Sequence, residues 1–152
     1  MARATGNGAD LRSAFERAPR LVERLAPLVS SADDPRRIVD KARRVLDAMS
    51  EPERIAVLDA HPRLGAAPAG LSTLSRQEQG DAGGATARYL AALNETYESR
   101  FGFRFVTFVD RRSFAEIAPE LRRRLYRSRN EELATGLEQF LAIALDRMER
   151  AR

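Results

Sequence analysis

The chain has 152 residues, of which 43% are hydrophobic and 32% are charged, the proportions of an ordinary globular domain. It contains no cysteine, which excludes disulfides, thiolate nucleophiles and cysteine-ligated zinc or iron-sulfur sites. The formal net charge of +4 comes almost entirely from arginine, because Lys41 is the only lysine.

The densest basic stretch lies near the end of the chain. It consists of Arg122, Arg123, Arg124, Arg127 and Arg129. No basic strand with interleaved aromatic residues accompanies it, so we interpret it as a solvated helix face and expect no nucleic-acid partner. There is no run of about 18 apolar residues and no signal-peptide pattern in the first ten residues, so we expect no membrane span and a cytoplasmic location.

Helix signals recur through the first half of the chain, after a small, polar N-terminus at 1–10 that we expect to be flexible. The predicted helix starts are Asp10, Pro19, Asp33 or Asp34 before Pro35, and the Ser50–Glu53 capping box. The second helix is expected to present an apolar stripe, which comprises Leu21, Val22, Leu25, Leu28 and Val29.

The second half begins with a predicted loop at 63–74, followed by a helix at about 86–100 whose stripe includes Tyr89 and which ends before Gly102. Residues 103–109 favour a strand by propensity but have no partner strand, so we predict an extended or partly helical connector. Ser113 is expected to cap the next helix, where Pro119 indicates a kink or a later start, and Asn130 to cap the last. The pattern predicts an all-α fold: a single compact multi-helix domain over 11–150.

His61 is the only histidine, and imidazole is the only side chain whose ordinary pKa lies near neutrality. Pro62 disfavours helical angles at His61, which places the imidazole just past a helix end at the mouth of a loop. With Glu78 and Arg147 it would supply an acid/base, a carboxylate and a fixed cation. Each has a purely structural alternative: His61 as a residue that closes a helix, Glu78 as the partner of Ser75 in a capping box, and Arg147 as a surface arginine.

Four motifs in order carry a family resemblance: HPRLG at 61–65, SRQEQ at 75–79, YESRFGFRFV at 97–106 and IALDRM at 143–148. This set resembles the OHCU decarboxylase family, enzymes of urate degradation that act on 2-oxo-4-hydroxy-4-carboxy-5-ureidoimidazoline (OHCU). The resemblance covers most of the chain, from about Leu11 to Met148.

The resemblance implies an all-helical, usually dimeric enzyme that converts this small-molecule substrate to (S)-allantoin without a metal or an organic cofactor. It places His61 and Glu78 on the family's catalytic histidine and glutamate. The substrate-binding positions it implies are Pro62, Ser75, Gln79, Phe105, Val106 and Arg147.

Some residues depart from the family pattern, notably Arg104, where members often have proline or a small apolar residue, and Thr107 and Asp146, where aliphatic residues are usual. Two alternatives to OHCU decarboxylation therefore stay open. One is a non-catalytic helical module for binding or dimerisation that retains the fold. The other is a decarboxylase for a related ureide.

Overall fold

All regular structure in the described residues is helical, as the sequence predicts. The computed structural model describes residues 11–64 and 73–151, without the side chains of 73–83, so the predicted flexible N-terminus lies outside the described residues. A helical turn at 11–14 precedes six α-helices of this part of the chain. They are α1 (Pro19–Leu25), α2 (Pro35–Ala48), α3 (Glu51–Asp59), α4 (Thr73–Phe101), α5 (Phe114–Arg124) and α6 (Arg129–Arg150).

The predicted start signals of α2 and α3 are confirmed. Asp34 Oδ1 accepts a hydrogen bond from Arg37 N at 2.8 Å, and Ser50 and Glu53 form the predicted reciprocal capping box. The expected stripe of α1 is wrong at Leu28, whose residue surface is 53% exposed. The α-helix ends at Leu25 and a 3₁₀ turn (Ala26–Leu28) follows, with three residues per turn, which moves Leu28 off the buried face.

The start of α4 was predicted too late. The helix begins at Thr73 rather than near 86, so the predicted loop through 74 is too long. The small residues at 82–85, two of them glycine, weaken the local helix signal, but the helix continues through them. Its buried face near the C-terminus includes Leu90 and Tyr97, whereas Tyr89, predicted on the apolar stripe, is 45% exposed.

Ser128, and not Asn130 as predicted, caps α6. Ser128 Oγ accepts from Glu131 N at 3.1 Å, and Glu131 Oε2 accepts from Ser128 N at 3.3 Å. Serine followed three residues later by glutamate satisfies two free amides at once, an arrangement that Asn130 cannot offer because it lies one residue inside the helix. Ser113 caps α5 as expected, but α5 begins directly at Phe114 and includes Pro119 rather than starting later.

The core forms mainly against α6, which packs on α2 and α3, while α5 packs on α4. The apolar period of the last helix predicts one face with Leu133, Leu137, Phe140, Leu141, Ala144, Leu145 and Met148. In α6 the first five of these residues are buried, and Leu145 and Met148 are partly buried. Gly136 lets α3 approach α6 closely, because a Cβ there would lie 3.1 Å from Leu58 Cδ1.

The connector between α4 and α5 has no regular structure at 104–109. This agrees with the prediction of an extended connector, which was made because the sequence offers no partner strand. Its aromatic side chains, Phe103 and Phe105, are buried against Tyr97 of α4, with ring centroids 6.1 and 5.3 Å from the tyrosine ring. This packing fixes the connector beside the end of α3, where His61 lies.

Candidate active site

His61 lies just beyond α3, in the position that Pro62 predicts. Its backbone N–H donates to Leu58 O at 3.1 Å. The backbone of His61 therefore closes the helix, as the structural alternative for this residue predicts. Its imidazole packs edge-on against Phe140 of α6, with ring centroids 5.2 Å apart. The Nε2 atom is buried and has no hydrogen-bond partner among the described residues. A buried polar atom without a partner is costly, so this nitrogen requires a hydrogen-bond partner that the described contacts do not supply.

The surroundings of His61 lower the pKa of its imidazole below the ordinary 6.5. Burial is the main cause, because it disfavours the charged form, and the positive charge of Arg147 adds to it. The carboxylate of Glu16 opposes the change. The imidazole is therefore neutral at neutral pH and able to accept a proton.

A cleft of about 600 Å³ opens in front of His61. Its walls come from the segment after α3, the connector before α5, and the last turns of α6. Four further residues predicted for the substrate site line this same cleft: Pro62, Phe105, Val106 and Arg147. Segments far apart in sequence thus meet around one volume of small-molecule size.

Arg147 lies at the edge of the core, with a side chain 38% exposed. Its Nη1 donates to Ala14 O at 3.3 Å, and its Nη2 lies 3.7 Å from Glu16 Oε2. These contacts tether the guanidinium to the N-terminal part of the described chain, but the partly exposed side chain still lines the cleft. Arg147 is therefore more than an isolated surface arginine.

The cleft carries an excess of positive charge. Its charged lining residues other than His61 are Arg63, Arg111, Arg147, Arg150, Asp110 and Asp146. Asp146 pairs with Arg150 at 2.9 Å, and four arginines against two aspartates leave a formal charge of +2 among the described lining residues. Such a lining suits a small anionic molecule. Only Arg147 was selected from the sequence, although Arg150 follows it by three residues, a spacing that places both on one side of a helix.

Hydrogen bonds to neighbouring helices hold the connector wall of the cleft. Phe108 N donates to Gln139 Oε1 at 2.9 Å, and Thr107 Oγ1 donates to Glu120 Oε2 at 2.6 Å. Arg112 donates to Phe108 O at 2.6 Å. Thr107, a departure from the family pattern, therefore has a local role in fixing this wall.

A buried polar network lies behind Val106. Arg124 donates from Nη1 to Val106 O at 3.0 Å and from Nε to Glu132 Oε1 at 2.7 Å, while its guanidinium lies over the Phe105 ring. Tyr97 Oη donates to the same Glu132 oxygen at 2.6 Å, and this bond together with burial raises the pKa of Tyr97. Arg124 thus belongs to the core and not to the solvated basic face predicted for its cluster.

Three predicted site residues are not tested by these contacts. Ser75, Glu78 and Gln79 fall within α4, but their side chains lie outside the described residues. Of the three-residue constellation, His61 and Arg147 share the cleft, and Glu78 stays a prediction. Among the described residues, no group of His, Asp and Glu side chains could hold a metal ion, and no helix is long and apolar enough to cross a membrane.

Comparison with known families gives one match along nearly the whole chain. A family model described as OHCU decarboxylase matches residues 4–149. The 2-oxo-4-hydroxy-4-carboxy-5-ureidoimidazoline decarboxylase of Haloferax volcanii is 33% identical over 144 residues, covering 86% of this chain and 79% of that protein. The protein of the same name from Halalkalicoccus jeotgali is 34% identical over 113 residues, 71% of this chain and 63% of that protein.

A longer relative is the uric acid degradation bifunctional protein of a Bacillus species, 27% identical over 124 residues, which are 74% of this chain and 23% of that protein. This chain thus spans less than two thirds of the Halalkalicoccus and Bacillus relatives. Two crystal structures share its fold. An (S)-allantoin synthase has a TM-score of 0.74, 19% identity and coverage of 97% and 50% of the two chains. An OHCU decarboxylase solved in the presence of (S)-allantoin has a TM-score of 0.70 and 20% identity, and the match covers 93% of this chain and 96% of that chain.

Proposed function

This chain belongs to the OHCU decarboxylase family, and we propose that it decarboxylates OHCU to (S)-allantoin in urate degradation. The observation that carries the proposal is that His61, whose buried Nε2 has no partner among the described residues, lines the same cleft as Arg147. The names of the two archaeal relatives support OHCU as the substrate.

The chemistry of the substrate explains why no cofactor is needed. As its name states, carbon 4 of the ring carries both the hydroxyl and the carboxylate, and carbon 5 carries the ureido group. When the bond to the carboxylate breaks, its electron pair moves into the neighbouring ring C=N bond, so the ring itself acts as the electron sink. Carbon 5 and the nitrogen of the former C=N bond must each gain a proton, and the 4-hydroxyl must lose one to become the carbonyl of allantoin, so one proton is taken up from solvent overall.

His61 is suited to move that proton. Its lowered pKa keeps the imidazole neutral, so it can accept the hydroxyl proton and afterwards deliver a proton to carbon 5. A ring held in the cleft with one face toward the imidazole receives the proton on that face only, which would produce a single enantiomer.

Arg147 would stabilise the negative charge that moves into the ring as CO₂ leaves. A strong contact with the substrate carboxylate alone would stabilise the ground state and oppose decarboxylation, so we assign it to charge that develops elsewhere. We further propose that Glu78 orients His61 or binds a substrate N–H. The remaining proposed pocket residues are Pro62, Ser75, Gln79, Phe105 and Val106.

The direct experiment generates OHCU from urate in situ and follows the optical activity of the allantoin formed. We expect the protein to accelerate allantoin formation and to produce the (S) enantiomer. Allantoin that forms no faster than in the spontaneous reaction, and as a racemate, would reject the proposal. Faster turnover of another ureide under the same conditions would instead assign the site to that substrate.

We also propose, from family resemblance, that the chain forms a homodimer and, from the sequence pattern, that it works in the cytoplasm and folds as one domain over 11–150. Light scattering coupled to size exclusion tests the first point, since a dimer has twice the 17.0 kDa mass of the chain. A mass of one chain at micromolar concentration would reject it.

A further inference from the structure

We propose that Arg104 is a positioning residue that holds His61 in place through the backbone of His61. The proposal rests on the role assigned to His61 above. Arg104 Nη1 donates to His61 O at 2.8 Å, and Arg104 N donates to Asp59 Oδ1 at 3.0 Å. Two hydrogen bonds thus join the connector to the short segment that carries the imidazole.

Other contacts of this segment lie two and three residues beyond His61, where Arg63 Nε donates to Glu98 Oε1 and Asn94 Nδ2 donates to Leu64 O at 2.9 Å. Helix α3 ends at Asp59, and Pro62 has no N–H to contribute to a helix or turn. The N–H of His61 is fixed by Leu58 O, so the bond from Arg104 to the His61 carbonyl fixes the other side of the residue. Together the two hydrogen bonds restrict φ and ψ of His61, and these torsions set the direction of the Cα–Cβ bond that carries the imidazole.

Arg104 is itself anchored. Its Nε lies 3.7 Å from Glu98 Oε1 of α4, and the same carboxylate oxygen accepts a hydrogen bond from Arg63 Nε at 2.8 Å. Its side chain is 33% exposed, and it does not line the cleft in front of His61. Arg104 therefore acts on the site through the His61 carbonyl, and this contact gives a local role to its departure from the family pattern.

Because His61 is the only histidine, its imidazole proton resonances report its position directly by NMR. The Phe140 ring 5.2 Å away displaces these resonances from the values of a free histidine, and the displacement depends on geometry rather than on charge. We expect Arg104→Met to bring them toward free-histidine values at a pH where the imidazole is neutral. Arg104→Lys, which keeps a donor and the charge, should restore most of the displacement.

Arg129 offers a matched control. It also joins a backbone carbonyl, Phe101 O at 3.0 Å, to a carboxylate, Glu51 at 2.6 Å, and it does not contact His61. Arg129→Met should leave the His61 resonances at their wild-type positions. His61 resonances at their wild-type positions in Arg104→Met would overturn the proposal. So would a change of these resonances in Arg129→Met as large as the change in Arg104→Met. If Arg104→Met does not fold, Arg104→Ala is measured in its place with the same two outcomes.

Kinetics with OHCU then separate positioning from binding. Misplacing a catalytic group by about 1 Å can cost about 100-fold in rate, so we expect kcat of Arg104→Met to fall 10- to 100-fold while KM changes less than about threefold. A changed KM with unchanged kcat would contradict a positioning role. If the wild-type protein does not turn over OHCU, the proposed function fails, but the NMR comparison still decides whether Arg104 positions His61.

Discussion

At the scale of single residues, the site depends on how the fold changes the properties of ordinary side chains. An exposed histidine would be partly protonated near neutral pH, whereas His61 is packed against Phe140 and close to the charge of Arg147. Both effects act in the same direction and favour the neutral imidazole. The same guanidinium that lowers the pKa of His61 is available to stabilise negative charge in the cleft.

We therefore predict that Arg147→Gln raises the pKa of His61, because it removes a positive charge that disfavours protonation. The measurement is an NMR titration of the single histidine. Arg150→Gln is the control, since Arg150 lines the same cleft but its charge is paired with Asp146 at 2.9 Å. A His61 pKa that is unchanged in Arg147→Gln, or raised equally in both variants, would contradict the account.

The sign of this shift also fixes a contribution to stability. The folded state holds the pKa of His61 below the unfolded value of about 6.5, so the unfolded chain binds the proton more readily. The neutral imidazole contributes its full stability above pH 6.5, and this contribution is lost as the pH falls through the folded-state pKa.

At the scale of elements, the approach of α3 to α6 positions His61, because His61 directly follows the last turn of α3. Gly136 permits this approach, since a Cβ there would lie 3.1 Å from Leu58 Cδ1, and Leu58 is fully buried. The cost of glycine in a helix, about 1 kcal/mol relative to alanine, is thus offset by closer packing.

A pair of glycine substitutions tests this explanation. Gly136→Ala should lower the free energy of unfolding by about 1 kcal/mol, because the gain in helix propensity is smaller than the cost of crowding Leu58. Gly84→Ala in α4 should instead raise it by about 0.5–1 kcal/mol, since no atom of the described residues lies within 4 Å of the added Cβ. Urea unfolding measures both, and stabilisation of both variants would show that Gly136 is not required by packing.

Helix starts could be predicted wherever a cap and its partner were adjacent in sequence, as at Ser50 and Glu53. The start of α6 was missed because two polar residues, Ser128 and Asn130, competed as caps, and only Ser128 has a glutamate three residues later. The start of α4 was missed because glycine lowers local helix propensity while packing elsewhere along a long helix sustains it.

At the scale of the whole molecule, one buried network joins the helices to the cleft wall. Glu132 of α6 has no exposed surface and accepts from Tyr97 of α4, Arg124 of α5 and Arg127. Arg124 in turn holds Val106 O. The position of the connector is therefore coupled to the assembly of three helices.

We predict that Glu132→Gln lowers the free energy of unfolding by about 3 kcal/mol, because it removes one partner of a buried ion pair and leaves Arg124 without its counter-charge. Glu138→Gln is the control: Glu138 pairs with Arg43 at 2.8 Å, but both side chains are 40% exposed or more, so the loss should be under about 1 kcal/mol. Equal small losses in chemical denaturation would contradict a structural role for the network.

The sequence predicts this architecture well and its site only in part. Apolar periodicity indicates an all-α fold without reference to tertiary contacts, and it identified the buried face of α6. Periodicity cannot bring His61 and Arg147 together, because that depends on how α3 crosses α6. Family resemblance predicted that these two residues share a site, but it offered no role for Arg104, whose contact with the His61 carbonyl appears only in three dimensions.

The measurement that tests the central claim most directly compares wild-type protein with His61→Asn in the OHCU assay. General acid-base catalysis typically contributes 10²- to 10⁴-fold, so we predict at least a 100-fold loss in kcat/KM, with helical circular dichroism unchanged. Any allantoin still formed should approach a racemate, as in the spontaneous reaction. Wild-type turnover and (S)-allantoin from a folded His61→Asn protein would contradict the account.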